Sequence, residues 1–302
     1  MKLLYFTDAH LRGTTPRSRN DDYLLAMEQK FDEISEIIRD NNIEAVLNGG
    51  DLFHTPSPAY SVVSTFTKKM KSWGIPIYSV IGSHDRYGYN ASTLNRTAKG
   101  MLEAAGIVQI IDSPLEISKG LFICGNSHDI DLDDSPLNYY MPRPENCEYM
   151  IQLVHGMLVE TPFFGKHTLI KDVDTDADLV LIGHFHFGFG PIVKGKTTYL
   201  NIGSLGRVEN VVRKFPPSIL IINTDKRVYN IVNLKVVNPS PFITMVKQDN
   251  VSMDMEGFIL NLQSKIEGLD TYDVYNLITH IGEQEGISEE IVQEALKYIK
   301  EE

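Results

Sequence analysis

The chain has 302 residues, 42% of them hydrophobic and 23% charged, with a formal net charge of −12. That length fits one large domain with an appendage, and that charge has the wrong sign for a protein that coats nucleic acid through a broad basic face. The two cysteines, Cys124 and Cys147, make neither a disulfide framework nor the paired spacing of a zinc ribbon. No apolar run is long enough to span a bilayer, and the opening run to Phe6 is too short for a signal peptide. The expected setting is a reducing cytoplasm, with no membrane partner.

Residues 2–7 read as a buried strand that ends at Asp8-Ala9-His10. In the loop that follows, Arg12, Arg17 and Arg19 are either contacts for a nucleic-acid backbone or plain solvated charges. Leu24, Leu25, Phe31, Ile34, Ile37 and Ile38 are spaced for one face of a helix. A second strand, residues 43–47, delivers Gly49-Gly50-Asp51-Leu52-Phe53-His54. Pro56, Pro58 and Ser61 open a helix reaching about Trp73, and residues 76–81 form a third strand that runs into Gly82-Ser83-His84-Asp85. This β-α-β-α-β order predicts a mainly parallel sheet flanked by helices, with functional residues beyond the carboxyl ends of its strands.

After a helix near residues 95–105, strands are expected at 107–111, 115–117 and 121–124, then an irregular segment over 126–146. Residues 149–154 predict a strand ending in His155-Gly156, and 178–182 one ending in Gly183-His184-Phe185-His186. Residues 197–201, 218–223 and 228–237 are expected as antiparallel strands of a second sheet. Pro239 and Pro241 mark a boundary between a domain over 1–239 and a helical segment over 240–302.

Set side by side, five strand ends each deliver His or Asp, most of them beside glycine. Mixed carboxylate and imidazole donors suit manganese, iron or zinc better than magnesium or calcium, which favour oxygen alone. In Asp8-x-His10 and His184-x-His186 the donors lie two apart, so on extended backbone they share a side. One His-x-His is weak evidence, but the whole set is hard to explain as packing. Asp51, on its glycine turn, is placed to bridge two ions. Asp85 either orients the neighbouring His84 ring or caps the turn. His128 lines a cleft or, the simpler reading, is an ordinary loop histidine, as are His167 and His280. Phe163, Phe164, Phe187 and Phe189 could stack on a base, with core or rim packing the simpler reading.

The ordered set across residues 3–207 resembles the calcineurin-like metallophosphoesterase superfamily. Gly50-Asp51-Leu52-Phe53-His54 is most similar to its nuclease branch, the SbcD-like DNA repair exonucleases, and Tyr199-Leu200-Asn201-Ile202-Gly203-Ser204-Leu205-Gly206-Arg207 resembles the segment after the last histidine motif there. The resemblance implies an α/β fold: two packed mixed β-sheets flanked by helices, a four-layer αββα sandwich, here with a small helical C-terminal segment. It implies two divalent metal ions, manganese first among them. Asp8, His10, Asp51 and His186 would hold one; Asp51, Ser83, His155 and His184 would hold the other. His84 would protonate the leaving oxygen, and His54 would contact and orient the site. Ser83 stands where the family has asparagine. Either a water replaces the amide and activity survives, or occupancy of the second site and hydrolysis both fall.

The function so implied is a metal-dependent DNA exo/endonuclease of the SbcD type, using a two-metal-activated water. DNA, an SMC-like ATPase subunit of the SbcC type and a second copy in a homodimer are the implied partners. No phosphate-binding Gly-rich Lys motif occurs in this chain, so the ATPase would be another chain, with residues 240–302 as cap or docking element. Two alternatives stand beside this: a non-catalytic metal-binding scaffold for such an ATPase, and a phosphatase or phosphodiesterase acting on small nucleotides.

Overall fold

Alternation along the first strand sets the layers of the computed structural model, which describes residues 1–235 apart from Tyr89, Phe164 and residues 209–214. In β1 (Lys2–Phe6), Leu3 and Tyr5 enter one apolar core while Leu4 and Phe6 enter another, the two-residue period of a strand buried on both faces. Behind Leu4 and Phe6 lie α1 (Tyr23–Asn41), α2 (Tyr60–Ser72) and α3 (Ala98–Ala104). Helix α1 starts where the Asp22 carboxylate accepts the Leu25 N–H at 3.0 Å, and ends at Asn42 in left-handed backbone. Its buried stripe is Tyr23, Met27, Phe31, Ile34 and Ile38. Leu25, expected on that stripe, lies off it and is 52% exposed.

The first sheet contains β1, β2 (Ala45–Asn48), β3 (Ile77–Ser79) and β4 (Gln109–Ile110), all parallel. The second contains β5 (Leu115–Ser118), β6 (Leu121–Asn126), β7 (Tyr149–His155), β10 (Leu179–Gly183), β11 (Phe189–Lys194) and β12 (Thr197–Asn201), in the order β11-β12-β10-β7-β6-β5. A small parallel pair, β8 (Leu158–Val159) and β9 (Thr168–Leu169), stands apart. Ile151, Leu153, Leu179 and Leu181 meet Leu3, Tyr5 and Leu47 between the two sheets. The far side of the second sheet carries Met150, Val154, Val180 and Ile182, packed with Leu132, Tyr139 and Ile170 from short 3-10 turns. The fold is therefore the expected α/β sandwich of two mixed sheets flanked by helices.

Two strand expectations need correction. Residues 218–223 and 228–237 were expected in the second sheet, yet β13 (Ser218–Asn223) and β14 (Val228–Asn233) complete the first, in the order β14-β13-β1-β2-β3-β4. Strand β13 pairs antiparallel with β1, Leu3 opposite Ile222 and Tyr5 opposite Leu220. An apolar strand can extend either sheet, and only the long-range partner decides. Strand β12 does lie in the second sheet, but parallel to β10 and antiparallel to β11. Strand β11 was not expected, because Gly190 and Pro191 interrupt its pattern. It is an edge strand with a register shift between Phe189 and Ile192, where a proline is tolerated. The helices expected over 240–302 lie outside the described residues. Among the described residues no helix is long and apolar enough to cross a membrane.

Candidate metal centre

The ends of β1, β2, β7 and β10 and the turn after β3 converge on one edge. Asp8, His10, Asp51 and His184 all adopt left-handed backbone there, with φ of 52°, 46°, 47° and 73°. Such backbone is uncommon without glycine and costs on the order of 1–3 kcal/mol per residue. Cross-loop bonds hold it: the Asp8 N–H donates to the Gly50 carbonyl at 3.2 Å and the His10 N–H to the Asp51 carbonyl at 3.0 Å. At Gly50, with φ 98°, an added Cβ would strike the His155 ring; at Gly82 it would strike the Asp51 carboxylate. Glycine is what lets these groups approach.

Asp8, His10 and His186 form one donor set and Asp51, His155 and His184 another, the donor atoms of each lying within 4.8 Å of one another. His10, His54 and His84 form a third set by the same measure. His10 Nε2 and His186 Nε2 face each other at 3.0 Å, with Asp8 Oδ1 3.5 Å from the latter. Asp51 Oδ2 lies 3.8 Å from His10 Nε2 and 3.3 Å from His155 Nε2, so one carboxylate oxygen faces both sets. His155 Nδ1 donates to the Gly49 carbonyl at 2.6 Å. A carbonyl can only accept, so in the neutral ring the proton sits on Nδ1 and the Nε2 lone pair is turned toward Asp51.

The electrostatics follow from burial. Burial by itself raises the Asp51 carboxyl pKa, but His155, His84 and His10 outweigh it and hold that carboxyl well below the usual range. Asp8 behaves alike, with His186 and His155 overcoming its burial. For His155, burial lowers the pKa while the charge and hydrogen bond of Asp51 carry it up to about 9. His184 is pushed down to about 4 by burial and by His155, and His10 well below its ordinary value by burial and His84. The residues present fit divalent ions. The His10 and His186 nitrogens at 3.0 Å share an N–H···N hydrogen bond in one pair of tautomers, and in the other both lone pairs are turned to a point beside buried carboxylates that one cation would fill.

Ser83, half-buried, sets its hydroxyl 3.4 Å from Asp51 Oδ2. His84 donates its backbone N–H to Asp51 Oδ1 at 2.8 Å, and its Nδ1 to the His54 carbonyl at 2.7 Å. The His54 ring stacks on the His84 ring, centroids 5.2 Å apart. Asp85 does not orient that ring, and the turn-capping reading holds. Its carboxylate accepts the N–H groups of Asp51 at 3.0 Å, Leu52 at 3.2 Å and Gly82 at 2.8 Å.

The sequence reading missed Lys99, 1% exposed, whose ammonium meets Asp85 at 3.0 Å and also donates to Asn48 Oδ1 and the Val80 carbonyl. The available signal was its place with Leu102 on the inward stripe of α3. Missed too were Thr7, whose hydroxyl donates to Asp8 Oδ2 at 2.6 Å, and Asn201, whose amide donates to the Phe185 carbonyl at 2.9 Å.

Of the loop arginines, Arg12 is half-buried and Arg17 exposed. Arg19 is 6% exposed and holds Asp21 through two bonds, at 2.8 and 2.6 Å, and the Arg207 carbonyl at 2.9 Å, which corrects its reading as a nucleic-acid contact. Phe189 is core, while Phe163 and Phe187 are half-buried and cluster with Phe185; Phe164 lies outside the described residues. His167 hydrogen-bonds locally to the Gly165 carbonyl, and His280 lies outside the described residues. His128 is not an ordinary exposed loop histidine. It is 4% exposed, its ring centroid 5.2 Å from that of His184, and burial together with His184 and His155 pushes its pKa down to about 2.

A family model for calcineurin-like phosphoesterases matches residues 1–188. The DNA double-strand break repair protein Mre11 of Sulfolobus acidocaldarius is 24% identical over 194 residues, covering 62% of this chain and 50% of that protein. Its namesake in Thermoplasma acidophilum is 23% identical over 293 residues, covering 89% and 73%. The chain thus spans about half the length of the first of these relatives. A solved structure of a novel archaeal phosphodiesterase is similar over 78% of this chain and 100% of that one, at 19% identity and a TM-score of 0.42.

Proposed function

Because the chain belongs to the calcineurin-like phosphoesterase family, we propose that it is a metal-dependent phosphodiesterase of the SbcD-like nuclease branch, hydrolysing phosphodiester bonds in DNA. The observation that carries this reading is the Asp51 carboxylate, one oxygen of which faces His10 at 3.8 Å and His155 at 3.3 Å. Asp8, His10, Asp51 and His186 would hold one ion and Asp51, Ser83, His155 and His184 the other, manganese being the expected metal. Two divalent ions held there supply electrophilic charge at a phosphoryl oxygen and lower the pKa of water.

The chain's own residues do the rest. His84 has its Nδ1 proton fixed on the His54 carbonyl, so Nε2 is the atom that carries a proton to the leaving oxygen. His54 sets the tilt of that ring by stacking on it. Asp85 and Lys99 hold the Asp51 turn in register. With cations held by these residues, the net charge of −12 would be offset locally where a phosphodiester approaches. An SMC-like ATPase on another chain is the proposed partner, and residues 240–302 are its proposed docking element.

The test is cleavage of linear duplex DNA with manganese, run beside a para-nitrophenyl phosphodiester. DNA cleavage abolished by chelation is the expected result. Intact DNA with a hydrolysed small ester would favour the small-nucleotide reading. Two bound ions and no hydrolysis of either would favour the scaffold reading, which the short Ser83 hydroxyl supports.

A further inference from the structure

The two donor sets are unequal. The first joins the Asp8 and Asp51 carboxylates to two imidazoles, while the second has Asp51, two imidazoles and, from Ser83, only a hydroxyl 3.4 Å from Asp51 Oδ2. A neutral hydroxyl is a weak donor beside imidazole for a manganese-like ion. The second pocket therefore has room in its coordination for another nitrogen.

His128 stands at that pocket. Its ring centroid is 5.2 Å from that of His184 and 6.2 Å from that of His155, and those two rings are 5.0 Å apart. Imidazole nitrogens lie about 2.0–2.1 Å from a bound ion, which places the centroids of rings sharing one ion roughly 4.5–6.5 Å apart. The three centroid spacings fall in that span, while the 4.8 Å donor set of Asp51, His155 and His184 does not include His128, so its nitrogen reaches a shared ion only by a turn of the ring. The backbone of the loop is fixed as well. The His128 N–H donates to the Ile81 carbonyl at 2.8 Å, and the Ser127 hydroxyl accepts the Ile81 N–H at 3.0 Å. These bonds tie His128 to the segment that carries Ser83 two residues later, so both stay registered to one ion. With 4% of its surface exposed, the ring is held inside the cluster.

We propose that His128 supplies a further imidazole to the ion held by Asp51, His155 and His184, in the coordination position that Ser83 fills poorly. This rests on the reading of the two donor sets as a dinuclear metal centre. It assigns His128 as a ligand, with no part in proton transfer.

The test is a calorimetric titration of chelator-stripped full-length protein with manganese chloride. It compares wild type, His128→Ala, and His128→Ala combined with Ser83→Asn, whose amide carbonyl reaches further than the serine hydroxyl. Wild type takes up two ions per chain. His128→Ala keeps the tighter site and weakens the second by at least ~10-fold, the scale reached even by loss of an outer partner of a ligand. The Ser83→Asn combination recovers at least part of that loss, which a merely structural role of His128 would not allow. In cobalt-substituted protein, the visible bands of the second ion shift in His128→Ala and those of the first do not. Unchanged affinity at both sites in His128→Ala, or equal weakening of both, would overturn the assignment. A wild type that binds no manganese would instead overturn the dinuclear reading, and an active or inactive nuclease affects neither outcome.

Discussion

The carboxylate of Asp85 and the ammonium of Lys99 meet at 3.0 Å with both side chains wholly shielded from water. Through the Asp51, Leu52 and Gly82 amides, that pair reaches the turns carrying Asp51 and Ser83. Removing one partner of a buried pair leaves an uncompensated charge and costs about 3–5 kcal/mol. Lys99→Met is therefore expected to lose stability on that scale in urea denaturation, and to weaken manganese binding by freeing the Asp51 turn. A loss below about 1 kcal/mol, near the median for exposed pairs, would mean that the pair does not hold the turn.

Asp51→Asn removes the one anionic oxygen that faces both donor sets. Metal analysis of the purified variant should show reduced content at both sites together. Retention of two ions per chain would show that Asp51 is not shared.

His84 hydrogen-bonds the Asp51 carboxylate through its backbone N–H, while its ring stands in a separate donor set with His10 and His54. His84→Ala should keep the metals and DNA binding while turnover falls roughly 10²–10⁴-fold, the contribution of a positioned general acid. Loss of metal from this variant would make the ring a ligand instead.

In chelator-stripped protein the His155 pKa stands at about 9: burial opposes its charge, and Asp51 more than restores it. A raised folded pKa means that protonated His155 contributes stability in full below its unfolded value of ~6.5, and that this is lost as pH rises through about 9. Thermal midpoints of stripped wild type and His155→Gln should therefore differ most at pH 6 and converge by pH 10. A gap independent of pH would show that the His155 charge does not contribute to stability.

The donors Asp8, His10, Asp51, His155, His184 and His186 were legible because each falls at the end of an apolar run, most beside a glycine. Asp85 was legible only in part, since adjacency to His84 left ring contact and turn-capping as equal readings. A 3-10 turn sends successive side chains about a third of a revolution apart, so Asp85 faces inward. Lys99 was illegible for a different reason: its meaning lies in a partner 14 residues earlier that only tertiary packing brings near. Arg19 read as a surface charge because nothing in composition says that Asp21 captures it. The placement of β13 likewise depends on β1, more than two hundred residues away in the chain.

The left-handed backbone at Asp8, His10, Asp51 and His184 has a consequence for anyone who sets out to harden this protein. At each of these positions glycine would adopt the required backbone without strain, a gain on the order of 1 kcal/mol, but at Asp8 and Asp51 it would also remove the carboxylates that accept the His184 and His84 N–H groups. A screen that rewards melting temperature alone would thus be drawn first to His10 and His184, and its winners would lack a donor from each of the two sets. Library design for this fold has to exclude all four positions by hand, because a melting temperature measured without metal does not report on metal binding.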